Sequence, residues 1–305
     1  MIDKHYHSLV RNEPYIDELV APPPHIRSIR DVLGFVRAIN DLRARSLSCV
    51  IDFHSNPHSA LVSYLAGAPK RIGYDVRVRK IAYTEIEPRA KYRHGRKIPE
   101  TSHQSALSLA ARVGAIDEER ESLCELTVDA QAVRDALGQY DTLGITPGAI
   151  GINPGNPYQA KAWPDDSFVQ LAAQLVQDGK QVVVLWGPGE REKAEMIQKR
   201  AGRGVFLSPE LSLERLPAFL KHLSLVVTID SGLKHLAVAV RVPTVTVFGP
   251  TSWSEWHMGG KHDHAVSMNY SCSPCRLLDC PFGAPCMTMI SVDRVLTAVD
   301  SLLKS

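Results

Sequence analysis

Continuous apolar runs dominate the second half of the chain. Those near 149–153, 181–186, 204–207, 224–229 and 243–248 predict short strands covered on both faces. Between them, apolar residues spaced by three and four predict helices over 165–178, 190–201, 212–222 and 232–240, and a closing helix follows over 292–303. Strands alternating with helices in this way are the signature of βαβ units on a parallel sheet.

The first half carries the same alternation more thinly. It predicts a helix over 33–45, a strand over 48–53, a polar turn over 54–59, a helix over 60–66, an extended piece over 67–73 and a helix over 101–113. Around Gly138, Gly144 and Pro147 the periodicity loosens, which places a domain boundary near Leu143. The expectation is an α/β protein of two domains, 1–143 and 144–305. No repeat of fixed period and no low-complexity tract is visible.

Composition changes this picture little. The chain has 305 residues and a net charge of +2, so nothing global argues for a nucleic-acid partner. The charge is uneven, however: ten Lys or Arg lie between Lys70 and Lys97 against Asp75, Glu85 and Glu87. Such a stretch suits an acidic substrate or an anionic membrane face, or is simply a solvated basic loop. There is no apolar core of signal-peptide length at the start, and no run of the ~18 apolar residues a membrane span needs. Six cysteines in a chain of this length do not make a secreted disulfide scaffold, so the expected location is the cytosol, with contact at a membrane surface but no span.

The candidate chemistry sits where predicted strands end. After the strand at 224–229 come Asp230, Ser231, Gly232 and His235, at the start of a helix whose free N–H groups and dipole attract an anion such as a diphosphate. Asp230 or Ser231 would cap that helix, and the plainer reading is an ordinary capped helix with a core-facing histidine. After the strand at 149–153, a loop carries Gly155, Asn156 and Lys161 and leads through Trp163 and Pro164 to a helix capped by Asp165 or Asp166. Lys161 is either a point charge for phosphate or a solvent-facing loop lysine. Glu190, after Trp186, either accepts from sugar hydroxyls or is a first-turn acid favoured by the helix dipole. No Gly-Lys-Ser/Thr follows the glycines and no Gly-x-Gly-x-x-Gly follows a strand, so Walker and nicotinamide-dinucleotide sites lack their fingerprints. Cys272, Cys275, Cys280 and Cys286 contain a single Cys-x2-Cys pair, and structural thiols in a proline-rich loop are preferred there to a zinc site.

Together these motifs resemble glycosyltransferase family 9, the ADP-heptose:lipopolysaccharide heptosyltransferases, and within it the heptosyltransferase II branch. The resemblance rests on residues 52–59 and 65–74, the loop 153–164, the turn 186–190, Asp-Ser-Gly-x-x-His at 230–235, Phe-Gly-Pro-Thr at 248–251 and the cysteine loop. It implies a GT-B architecture, two Rossmann-like domains facing across a cleft, the C-terminal one holding the ADP-sugar. It further implies that Asn156, Lys161, Glu190, Asp230, Ser231, Gly232 and His235 are donor-site residues. The implied reaction is inverting, metal-independent transfer of heptose from ADP-heptose to the lipid A–core acceptor, with no cofactor. Arg77 and Arg79 are the acceptor-side candidates. The family opens with a strand, a loop carrying its catalytic aspartate, and a helix; this chain starts past them, leaving an incomplete first domain with Asp52 and His54 as substitute bases. Loss of a general base costs on the order of 10²–10⁴ in rate. The alternatives are therefore an impaired ADP-sugar-binding relative, or a GT-B transferase for another nucleotide sugar.

Overall fold

The computed structural model describes residues 1–89, 92–93, 96–97, 101–114, 124–257, 260 and 262–304. It divides into two compact units, one of Met1–His7 with Glu18–Ser122 and one of Ser8–Asp17 with Leu123–Ser305. Of the basic stretch, Lys91 lies outside the described residues, as do the side chains of Arg93, Arg96 and Lys97. No described helix is long and apolar enough to cross a membrane.

The chain begins with a short 3-10 turn, and helix α1 (His7–Val10) follows. Helix α2 (Ile29–Ala44) starts at Ser28, whose side chain accepts from the Asp31 amide, and buries Phe35, Ile39 and Leu42 along one face. Strands β1 (Cys49–Ile51), β2 (Lys70–Tyr74) and β3 (Glu85–Glu87) pair in parallel, in the order β1-β2-β3. Helix α3 (Pro57–Leu65) begins earlier than its apolar run suggests. Asn56 and Ser59 form a reciprocal capping box and Pro57 occupies the first turn, so the polar residues 56–59 start the helix instead of preceding it. A short antiparallel ladder of β4 (Tyr92–Arg93) and β5 (Arg96–Lys97) precedes helix α4 (Ser102–Ala111), which is boxed by Thr101 and Gln104.

The turn after β1 is held by Asp52. One carboxylate oxygen accepts from the amides of His54 (3.0 Å) and Ser55 (2.9 Å), the other from the Tyr83 hydroxyl at 2.7 Å. The Tyr83 ring lies directly over Gly73, where a Cβ would fall 2.4 Å from it. Glycine at 73 is thus a requirement of close approach.

Helix α5 (Ala130–Leu143) opens the second unit. Asp129 caps it through the amides of Gln131 and Ala132, and Gly144 closes it at φ +69°. The sequence predicts no helix here and sets its boundary near Leu143; the helix packs through Tyr140 on Phe219 of the second unit. The segment 8–17 joins the second unit as well: the Glu13 carboxylate accepts from the Thr127 amide at 2.7 Å and its hydroxyl at 3.0 Å.

Strands β6 (Ile150–Asn153), β7 (Val182–Val184), β8 (Val205–Leu207), β9 (Leu225–Ile229), β10 (Thr244–Phe248) and β11 (Asp263–Ser267) form a parallel sheet in the order β11-β10-β9-β6-β7-β8. Alternate strand residues enter two cores. Val182, Val184, Leu225, Val227 and Ile229 pack with helices α6 (Asp165–Gln177), α7 (Arg191–Ala201) and α12 (Val292–Leu303). Val183, Leu185 and Val226 pack with α5, α8 (Leu216–Leu220) and α9 (Gly232–Ala239). Burial on both faces is why these strands read as unbroken apolar runs. The short helices α10 (Trp253–Trp256) and α11 (Pro285–Thr288) complete the unit.

Helix α6 departs from expectation in its cap. Pro164 is the N-cap and makes no side-chain cap bond, while Asp165 and Asp166 lie in the first turn and pair with Lys193 (3.0 Å) and Arg200 (2.7 Å). Trp163 belongs to the core, its indole N–H donating to the Ile290 carbonyl at 3.0 Å.

Gly73→Ala would force the Tyr83 ring and its bond to Asp52 apart. A loss of about 1–3 kcal/mol is expected, read from the urea midpoint.

Candidate functional site

The strand order of the second unit reverses between β6 and β9. β6 connects outward to β7 and β8, β9 to β10 and β11, so the loops leaving the carboxyl ends of β6 and β9 part there. In open parallel α/β sheets this is where ligands bind. The loop after β6 carries Asn156 and Lys161, and the residues after β9 are Asp230 to His235.

A polar knot closes the strand ends. The Asn153 amide nitrogen donates to the Leu185 carbonyl at 3.2 Å, and its oxygen accepts from Thr228 (3.3 Å) and Ser231 (3.5 Å). Ser231 is the N-cap of α9, but its side chain makes no cap hydrogen bond. Its hydroxyl turns to Asn153 and Thr228, so no side chain caps the first amides of α9. Gly232 is exposed, and no atom lies within 4 Å of where its Cβ would stand. Donors without side-chain partners beside open space are the requirement for an anion at a helix N-terminus.

Lys161 reaches the same place. Its ammonium lies 2.6 Å from Asp230 Oδ2, which also accepts from the Thr251 hydroxyl at 2.8 Å. Asn156 donates to the Asp230 backbone carbonyl at 3.5 Å. Asp230 is 8% exposed on its side chain and Lys161 19%. The carboxylate therefore aims the lysine and takes up part of its charge.

Glu190, after β7, presses its carboxylate on Gly155, where a Cβ would fall 2.0 Å away, and accepts from the Gly187 amide at 2.9 Å. It is the N-cap residue of α7, at the positive end of that helix, and makes no side-chain cap bond.

Beneath α9 lies an ion pair that the sequence reading passes over. Lys234 Nζ is 3.1 Å from Asp263 Oδ2, with side-chain exposures of 0% and 1%. Lys234 also donates to the Trp256 carbonyl, while Asp263 Oδ1 accepts from Thr244 at 3.0 Å and Oδ2 lies 3.3 Å from His257 Nδ1. Burial pulls the lysine below its usual range, against the opposing effect of Asp263. His235, beside it, is brought down to about 4, by burial first and then by the charge of Lys234. The imidazole is accordingly neutral near pH 7, and its ring meets Trp256 edge-on at 5.8 Å. Lys234 stands within a quoted motif yet reads as a surface residue from its type. Asp263 has no neighbouring apolar run to mark its strand.

The remaining candidates fall elsewhere. Asp52 is buried and committed to its turn, with His54 exposed next to it. Arg77 is exposed and Arg79 half-buried, both in the 3-10 turn Arg77–Ala82. Cys272 is exposed, Cys275 and Cys280 half-buried and Cys286 buried, all as free thiols. Among the described residues, no three His, Cys, Asp or Glu side chains are arranged to hold a metal ion.

Residues 35–284 match the model of glycosyltransferase family 9 (heptosyltransferase). Lipopolysaccharide heptosyltransferase 1 of Pseudomonas aeruginosa is 29% identical over 165 residues, 49% of this chain and 46% of the relative. The chain spans about half the length of the curated relatives it matches. Among solved structures, a family 9 glycosyl transferase from Veillonella parvula gives a TM-score of 0.80 at 20% identity, covering 99% of this chain and 87% of that one. The E. coli ADP-heptose LPS heptosyltransferase II gives 0.72 at 19% identity, covering 99% and 88%. These two likenesses are likenesses of fold, the GT-B class of α/β proteins.

Two measurements address the buried charges. Lys234→Met strands the Asp263 carboxylate and is expected to cost about 3–5 kcal/mol in urea unfolding, much of it restored by adding Asp263→Leu. His235 takes a proton near 6.5 when unfolded but only near 4 when folded. Its contribution to stability is therefore complete above about 6.5 and drains away as pH falls toward 4. His235→Asn should flatten that part of the pH profile.

Proposed function

Because the chain belongs to glycosyltransferase family 9, we propose that it transfers heptose from ADP-heptose to the inner core of a lipopolysaccharide. The observation that carries this reading is the convergence of Lys161 with the α9 N-terminus, open of side-chain caps, at the reversal of strand order. A sugar diphosphate needs that pairing: one mobile cation and a set of fixed amide donors.

In this reading the diphosphate lies against the amides following Ser231, with Gly232 admitting it, and Lys161 turns from Asp230 to the phosphate oxygens. Asp230, which accepts from the Thr251 hydroxyl, holds the lysine in position. Neutral His235 and Trp256 form an apolar-edged wall on the same side. Asn156 borders the loop, and Glu190 reads hydroxyls of the sugar or ribose. As the bond from the anomeric carbon to the diphosphate oxygen breaks, negative charge collects on the leaving ADP. Lysine and amide dipoles stabilise that charge without a metal. The acceptor hydroxyl attacks from the opposite face, inverting the anomeric centre as its proton passes to solvent water. Arg77 and Arg79 meet the anionic acceptor, which is presented at the inner-leaflet surface of a cytoplasmic compartment.

Isothermal titration with ADP-heptose, ADP, a UDP-sugar and NAD tests the donor assignment. Tightest binding of ADP-heptose is expected, and equal affinity for the UDP-sugar would overturn it. Lys161→Ala should weaken ADP-heptose by about tenfold or more, since charge-assisted contacts contribute about 1.5–3 kcal/mol, whereas Asp230→Ala acts only through the aim of the lysine and should weaken it less. Charge reversal at Arg77 and Arg79 should reduce acceptor use with donor affinity unchanged.

A further inference from the structure

The connection between β2 and β3 passes through the 3-10 turn Arg77–Ala82. Such a helix repeats every three residues, so Val78 and Ile81 share one face. Each is 75% exposed. Ala82 is buried with Ala60 and Tyr83, which fixes the turn to the unit from its inner side. Scattered exposed apolar residues are ordinary. Here, however, two branched aliphatics stand together, and Arg77, Arg79 and Lys80 alternate with them. Lys80 lies 3.3 Å from Asp75, the acid at the edge of the turn. Arg77 holds φ +39°, a left-handed backbone that arginine rarely adopts.

We propose that this turn docks the protein on an anionic lipid bilayer, with Val78 and Ile81 entering the interfacial layer and Arg77 and Arg79 meeting lipid phosphates. Charge complementarity selects this partner, and so does size. A stable protein contact covers roughly 800 Å² on each side, far beyond one six-residue turn, whereas a bilayer accepts single side chains flanked by cations. The inference deepens the acceptor reading of Arg77 and Arg79 and rests on it only for its purpose: a lipid-anchored acceptor is met at such a surface.

Co-sedimentation of the full chain with vesicles tests this without donor or acceptor, so failure here leaves the transferase reading untouched. Binding is expected to vesicles of phosphatidylcholine with phosphatidylglycerol, and little to phosphatidylcholine alone. Val78→Ser/Ile81→Ser should weaken that binding by about tenfold or more with an unchanged melting temperature, because both side chains lie outside the core. Ile81→Trp should gain fluorescence quenching, over the native tryptophans, from vesicles containing brominated lipid. Absence of binding by the unaltered chain, full binding by the serine variant, or no added quenching would each overturn the proposal. So would a serine variant that only converts a self-associated form to monomer and still binds vesicles.

Discussion

Lys234 and Asp263 face each other where water does not reach, and either charge alone in that place would cost several kcal/mol. The pair therefore persists or fails as a unit, and much of the carboxyl edge of the sheet is arranged around it. Asp263 begins the edge strand β11 and takes the Thr244 hydroxyl of β10, which sets the register of that edge. Lys234 joins α9 to the carbonyl of Trp256, holding the segment after β10 against the helix. His235 inherits its neutrality in part from the same ammonium. One ion pair thus links strand register, loop position and the protonation state of the candidate site.

The fold was legible wherever burial was two-sided. Strands β6, β7, β9 and β10 announce themselves as apolar runs because helices cover both faces. β11 was invisible for the converse reason: an edge strand that starts on a buried aspartate and continues through an exposed histidine has neither run nor alternation. Helix α5 was lost to Gly138 in its middle and Gly144 at its end, although the second is an ordinary left-handed terminator. Capping chemistry explains the shifted start of α3, where Asn56 and Ser59 satisfy each other's amides.

The candidate site divides in the same way. Lys161, Asp230, Ser231 and Gly232 were nameable from spacing, since a strand end followed by small and polar residues is a local pattern. What no local pattern contains is the pairing of residues far apart in the chain. Lys161 with Asp230, Asp230 with Thr251 and Asn153 with Ser231 exist only because β6 and β9 are neighbours. The electrostatic consequence is that Lys161 is already paired with an acid, so a diphosphate bound there as proposed would exchange one charge partner for another and would not desolvate a bare ammonium.

Gly155 and Glu190 carry a different consequence. The carboxylate occupies the volume that any side chain at 155 would need, and it is fixed there by the Gly187 amide. The two positions consequently behave as one genetic locus. A side chain placed at 155 would have to push the Glu190 carboxylate off the Gly187 amide, so a substitution at 155 is felt through Glu190. Randomising both together would open pairs in which a shorter residue at 190 makes room for a side chain at 155, and the shape of that corner would become heritable as a couple.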